Sequence, residues 1–267
     1  MLDKLDGKFK LKTRVVKSLL TYTENAQRAF ASGVQDEEAA EAKVVVGRYG
    51  HRDTVNTHLS FLVFFLSHGF LLETNEINDL WDALITQPAI PKDRQVGFNW
   101  ILKVVKSEKR YPMRSETLVD LFQQKMLSTD PDSLSQEGVA CFLRLFLRVN
   151  SLGSATLTPK LRLELGRDEV VCVLDFDLAG LSYLWRLATL HSNPTIATTA
   201  VQRLRELYTH ADPKMGDEEH YDQVRSILST LNKPLNELTQ ESLVRKMVVE
   251  VLSLDRRRPI SFCFIIH

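Results

Sequence analysis

The sequence predicts an all-α solenoid of about ten helices, interrupted once by a loop or short hairpin near residues 151–175. Three observations predict it. Apolar residues recur at helical spacing along almost the whole chain of 267 residues. Proline and capping residues punctuate that spacing at short intervals. No half of the chain is rich in alternating, strand-like pattern.

The elements follow in order. Lys4, Lys8, Lys10, Lys12, Arg14 and Lys17 make the first stretch basic, and Gln35 to Lys43 is acidic. Both segments can be helical. The opposite face of the first is weakly apolar, so it reads as a solvated capping helix rather than a phosphate- or membrane-seeking one. From Thr54, Val55, Leu59, Leu62, Val63 and Leu66 form one apolar stripe, and Phe61, Phe64 and Phe65 widen it. That breadth predicts a helix buried on more than one side. Thr74 caps a helix carrying Ile77, Leu80, Trp81, Leu84 and Ile85. Pro88 and Pro91 end that helix and start the next, because proline suits a first turn and breaks an interior. Val96, Trp100, Ile101, Val104 and Val105 follow, and Tyr111-Pro112 closes their helix. Ser115 opens a helix with Leu118, Leu121, Phe122 and Met126. Ser133 and Gln136 have the spacing of a capping box before Val139, Phe142, Leu143, Phe146 and Val149.

Ser151 to Asp175 breaks the pattern. Leu161, Leu163 and Leu165 alternate with polar residues, and Gly166-Arg167-Asp168 can turn the chain into Val170 to Leu174. Helix resumes with Leu178, Leu181, Leu184, Trp185 and Ala188. Asn193-Pro194 is an N-cap followed by proline at the first helical position, before Ile196, Ala200, Val201, Leu204 and Leu207. Two further helices are expected over Tyr221–Leu231 and Leu235–Leu254. Helices of this number and length fit a HEAT- or armadillo-type stack better than a four-helix bundle, which uses fewer and longer ones. An irregular helical domain is the plain alternative.

Composition narrows the function. Lys+Arg and Asp+Glu both number 34, giving a net charge of zero, whereas nucleic-acid binders usually show a basic excess. Cys141, Cys172 and Cys263 are odd in number and far apart, which argues against a disulfide framework and for a reducing compartment, the cytoplasm. The longest apolar candidate, Leu59 to Leu72, is broken by Ser60, Ser67, His68 and Gly69 and falls short of the roughly 20 residues of a membrane span.

A search for chemistry assigns no catalytic, cofactor-binding or metal-ligating residue. Cys141 sits in the stripe Val139 to Val149 beside Phe142, the usual place of a buried structural cysteine. His51 and His58 are seven apart and share a helix face only if the helix begins early enough, and no HExxH spacing occurs. His68 before Gly69 reads as a helix C-terminal residue. Gly47 and Gly50 flank Arg48-Tyr49 without forming a phosphate-binding loop. Asp175 and Asp177 precede a predicted helix and read as favouring its N-terminal dipole. Arg256-Arg257-Arg258 reads as a solvated helix end. Trp81, Trp100 and Trp185 lie on apolar stripes and read as core.

The segments Leu121 to Asn150 and Asp175 to Met215 resemble a region of the large fat facets-type ubiquitin-specific proteases. Asn75 to Pro88 and Val96 to Val105 fit the same region, so the likeness runs roughly from His51 to Arg225. It rests on the TDP triplet before a capped helix, then GLSYLW, then a helix ending in LYT. The resemblance implies an armadillo-like array preceding a distant catalytic domain. It also implies, for the parent, thiol-dependent hydrolysis at the C-terminus of ubiquitin by a cysteine, a histidine and an acidic or amide partner. None of these carries over. Around Cys141 the sequence is Gly138-Val139-Ala140-Cys141-Phe142, where only the glycine and the aromatic agree with the family's cysteine box, and its asparagine is missing.

The expected organisation is a partly charged helical segment over 1–48, an armadillo-like repeat domain over 49–254 and a tail over 255–267. Phe262, Phe264, Ile265 and Ile266 make that tail apolar where a solenoid normally ends in a polar cap, which suggests a truncated or aberrant end. The expected role is a non-catalytic scaffold that binds proteins, namely ubiquitinated substrates or regulators, with no cofactor. A stand-alone adaptor of armadillo or HEAT type is the alternative, and a minimal thiol hydrolase using Cys141 a third.

Overall fold

The computed structural model describes residues 10–31, 37–106, 113–152, 159–164, 170–175 and 177–209. The expected helices at Tyr221–Leu231 and Leu235–Leu254, the closing Tyr111-Pro112 pair, the turn at Gly166-Arg167-Asp168 and the 255–267 tail lie outside them. Nine α-helices occur among the described residues: α1 Leu11–Phe30, α2 Glu37–Ala42, α3 His51–Ser67, α4 Thr74–Trp81, α5 Pro91–Val105, α6 Ser115–Asp120, α7 Gln136–Asn150, α8 Leu181–Leu190 and α9 Pro194–Thr209. The chain forms two compact units, 1–129 with 134–149, and 130–133 with 150–267.

In the first unit the helices stack on near neighbours in sequence, the armadillo-like arrangement the pattern predicts. α1 packs on α3 and α4, and α3 on α5. α1 is not the weakly apolar capping helix its composition suggests. It buries Val16, Leu19, Tyr22, Ala26 and Phe30, a face that relies on a tyrosine and an alanine. Its Lys12 turns inward, donating to Glu76 Oε2 at 2.6 Å and to the Leu71 carbonyl at 2.7 Å. Glu76 also accepts from Thr13 Oγ1 at 3.1 Å and from the Glu73 amide at 3.1 Å, so this buried carboxylate is amply bonded.

That last bond corrects the start of α4. Glu73, not Thr74, is the N-cap residue. The Thr74 hydroxyl instead meets that of Thr117 at 2.9 Å. α4 runs on through a π-helical turn, Asp82–Thr86, closed by the Gln87 amide on the Asp82 carbonyl at 2.8 Å. α6 continues in the same way through Leu121–Met126, where the Leu127 amide reaches the Phe122 carbonyl. Pro91 opens α5 as predicted. Within α5, Gly97 permits close packing: a Cβ there would stand 2.9 Å from Ile85 Cγ1. Trp81 meets the edge of Phe98, and Phe122 stacks on Phe142. α7 is capped by Ser135, whose Oγ accepts the Gly138 amide at 3.3 Å; Ser133 lies in the short turn Pro131–Ser133. The buried side of α7 includes Leu145 and Leu147, while Leu143 and Val149 are half-buried.

The second unit contains the predicted hairpin. Strands β1 Leu161–Glu164 and β2 Val170–Val173 pair antiparallel with Leu161 opposite Val173. The Asn150 side chain fixes the approach to α8, donating to the Ala179 carbonyl at 3.0 Å and accepting the Ala179 amide at 2.8 Å. Gly180, at φ 84, is the N-cap of α8 and adopts the left-handed conformation that glycine tolerates best. Helix therefore begins only at Leu181, beyond Asp175 and Asp177. Those two do not serve its dipole: Asp177 pairs with Lys160, and Asp175 accepts the Asp177 amide at 2.8 Å. Asn193 caps α9 as predicted, its Oδ1 accepting the Thr195 amide at 2.9 Å.

Candidate protein-docking face

α3 carries the sequence Phe61-Leu62-Val63-Phe64-Phe65-Leu66, more apolar groups than one helix face can turn inward. Val55, Leu59, Leu62, Phe65 and Leu66 point into the core. Phe61 and Phe64 do not, although burial on more than one side was expected: they are 54% and 46% exposed. Tyr49, 68% exposed, stands on the approach to the same helix. The two exposed rings rest on Phe65, at centroid distances of 6.5 Å and 5.8 Å. With Asp53, Asn56, Thr57 and Ser60 they border an open hollow of about 780 Å³. A second, of about 470 Å³, lies on the other side of Phe61 between α1 and α3. Exposed aromatic clusters of this kind mark binding surfaces more often than catalytic ones.

The seam beneath this face is built from histidines. α3 begins at His51, so His51 and His58 do share a side, and both rings stack on Tyr22. His58 Nδ1 donates to the Thr54 carbonyl at 2.8 Å, and its Nε2 meets the Ser18 hydroxyl at 3.0 Å. His51 is fully buried between the Tyr22 hydroxyl and the Asp93 carboxylate. It resembles a catalytic relay in geometry only, because the imidazole itself exposes no surface to a substrate. Sequence reasoning missed this cluster. Its members are tens of residues apart, and each alone reads as a surface or capping group. His68 behaves as predicted, its Nδ1 donating to the Phe64 carbonyl at 2.8 Å.

Cys141 is fully buried, and burial pushes its thiol well above the ordinary cysteine value, away from the thiolate a nucleophile needs. Cys172 is half-buried on β2. Cys263 and Arg256 to Arg258 lie outside the described residues. Trp81, Trp100 and Trp185 are all buried, as predicted, and Trp100 Nε1 donates to the Leu59 carbonyl at 3.2 Å. No set of three or more potential metal ligands is placed together among the described residues. Nor is any described helix long and apolar enough to cross a membrane.

Residues 1–150, more than half of the 267, match the family described as UBP24/USP9X/USP9Y ARM repeat. Ubiquitin carboxyl-terminal hydrolase 9X of Mus musculus is 29% identical over 235 residues, covering 86% of this chain and 9% of that protein. Ubiquitin carboxyl-terminal hydrolase 9Y of Homo sapiens is 28% identical over the same length and shares. The probable ubiquitin carboxyl-terminal hydrolase FAF of Drosophila melanogaster is 28% identical over 220 residues, 81% of this chain and 7% of the relative. The chain thus spans less than a tenth of the length of these relatives. Matched over residues 1–150, this helical chain belongs to the UBP24/USP9X/USP9Y ARM repeat family.

Proposed function

We propose that the chain is a non-catalytic helical-repeat scaffold of a ubiquitin-specific protease, binding that enzyme's substrates or regulators through the Phe61–Phe64 face of α3. The observation that carries the reading is the pair of exposed phenylalanine rings on an otherwise well-packed helix. Burying large aromatic surface against a partner supplies most of the energy in a typical interface. Support also comes from the relatives, which are named as ubiquitin carboxyl-terminal hydrolases. In this reading the chemistry belongs to another part of such an enzyme, the armadillo-like domain extends over 49–254, and the setting is cytoplasmic, consistent with the buried thiol of Cys141.

A photo-reactive phenylalanine analogue at position 61, with the exposed Gln202 position as control, tests the reading in cells. Ubiquitin-modified proteins or their regulators should crosslink at 61 and not at 202. Equal labelling at both positions, or none at 61, contradicts it. So does cleavage of ubiquitin conjugates by the purified chain that disappears in Cys141→Ala.

A further inference from the structure

α1 and α3 run antiparallel, as the bonds Tyr22 to His51 and Ser18 to His58 show. The groove between them is walled by Leu11 and Val15 on one side and Phe61 and Phe65 on the other, with Arg14 at its edge. A further hollow continues along α1 past Arg14 and Lys17. Among the described residues, no carboxylate lines either hollow. The basic charge of α1 is therefore divided. Lys12 is spent inside on Glu76. Arg14 and Lys17 stand exposed, one helical turn apart, and neither forms an ion pair with a described residue.

We propose that this groove binds an acidic amphipathic helix presented by a partner protein. The proposal rests on the protein-binding reading above and names the chemistry of the occupant. Apolar side chains of the partner enter between Val15 and Phe61. Carboxylates one turn apart on the same partner helix face Arg14 and Lys17, since residues three or four apart in a helix lie side by side. A membrane surface fits less well, because a flat bilayer reaches Phe61 but not the buried Phe65 or the half-buried Val15 between the two helices. A phosphate backbone would engage the cations but leave the apolar walls Val15 and Phe61 without a partner.

The full chain is titrated into a fluorescein-labelled 16-residue helical peptide with leucines on one face and glutamates on its flanks. Controls replace every glutamate by lysine or every leucine by alanine. Fluorescence polarisation should show binding of the acidic peptide, weakened at least tenfold by Phe61→Ala. The charge reversal Arg14→Glu with Lys17→Glu should weaken it about fivefold and favour the lysine peptide instead. These positions are exposed, so circular dichroism should show unchanged helicity. Equal binding of the acidic and basic peptides overturns the proposal. So does binding to phosphatidylserine vesicles that depends on Arg14 and Lys17 while no peptide binds. A protein crosslinked at position 61 through a basic or uncharged segment leaves the scaffold reading standing and overturns this one.

Discussion

His51 Nε2 lies 2.9 Å and 3.0 Å from the two carboxylate oxygens of Asp93, with both side chains buried. A carboxylate accepts, so Nε2 carries the proton. Nδ1 meets the Tyr22 hydroxyl at 3.1 Å, and burial holds that phenol above its ordinary value. Asp93 Oδ2 accepts the Ile90 amide at 3.2 Å as well, at the start of α5. One chain of polar groups thus ties α1, α3 and α5. Removing one member of a buried pair strands the other, and Asp93→Ala should cost about 3 kcal/mol in urea unfolding. Tyr22→Phe should cost about 1 kcal/mol. His51→Ala combined with Asp93→Ala should cost clearly less than the sum of the two; strict additivity would show the pair to be uncoupled.

The Lys12–Glu76 pair makes a parallel case at the contact of α1 with α4. Lys12→Met leaves the Glu76 carboxylate buried without its cation and should destabilise by about 3 kcal/mol. Replacing both, Lys12→Met with Glu76→Gln, should recover part of the loss, because no lone charge remains. Equal stability of the single and double variants in thermal unfolding would count against a compensated buried pair.

Charge also links α2 to its neighbours on the surface. Lys92 holds the Glu41 carboxyl below its ordinary value by a hydrogen bond, aided by Arg52 at 3.0 Å and opposed by partial desolvation. Glu41 in turn raises the Lys92 ammonium. A carboxyl depressed by folding stabilises above its unfolded value and loses that contribution as pH falls through and below it. A raised ammonium stabilises below its unfolded value and loses the contribution at higher pH. The urea midpoint should therefore be level near neutrality and fall below about pH 4.3 and above about pH 10.4. Lys92→Met should flatten both limbs; an unchanged acid limb would assign it to other carboxylates.

Cys141 gives a chemical readout of the core. In the native chain, iodoacetamide followed by peptide mass spectrometry should modify Cys172 well before Cys141. In denaturant both should react alike. Rapid native labelling of Cys141 would mean an accessible thiolate and would revive the hydrolase reading.

Much of the fold was legible because helices write themselves into apolar spacing. Pro91 and Asn193-Pro194 mark their starts correctly, and the three tryptophans are core as their stripes imply. The π-helical turns left no trace, since Leu80 with Leu84 and Trp81 with Ile85 keep a helical four-residue spacing across the first of them. Caps slipped by one or two residues, from Thr74 to Glu73 and from Ser133 to Ser135, where neighbouring polar residues compete for the same amides. The start of α8 depends on a left-handed Gly180, which a count of apolar residues does not register. The exposure of Phe61 and Phe64 was the largest miss. A run such as Phe61 to Leu66 reads as buried on more than one side, and only packing against α1 and α5 decides which rings remain outside. His51 and Asp93 are joined by folding alone, and neither residue's local sequence announces the other.

The most direct measurement is quantitative interaction proteomics on the tagged chain in cells, comparing wild type with Phe61→Ala combined with Phe64→Ala. Recovery of ubiquitin-modified proteins should fall at least tenfold in the variant, with an unchanged urea unfolding midpoint. Equal recovery by both proteins at equal stability would contradict a docking face on α3.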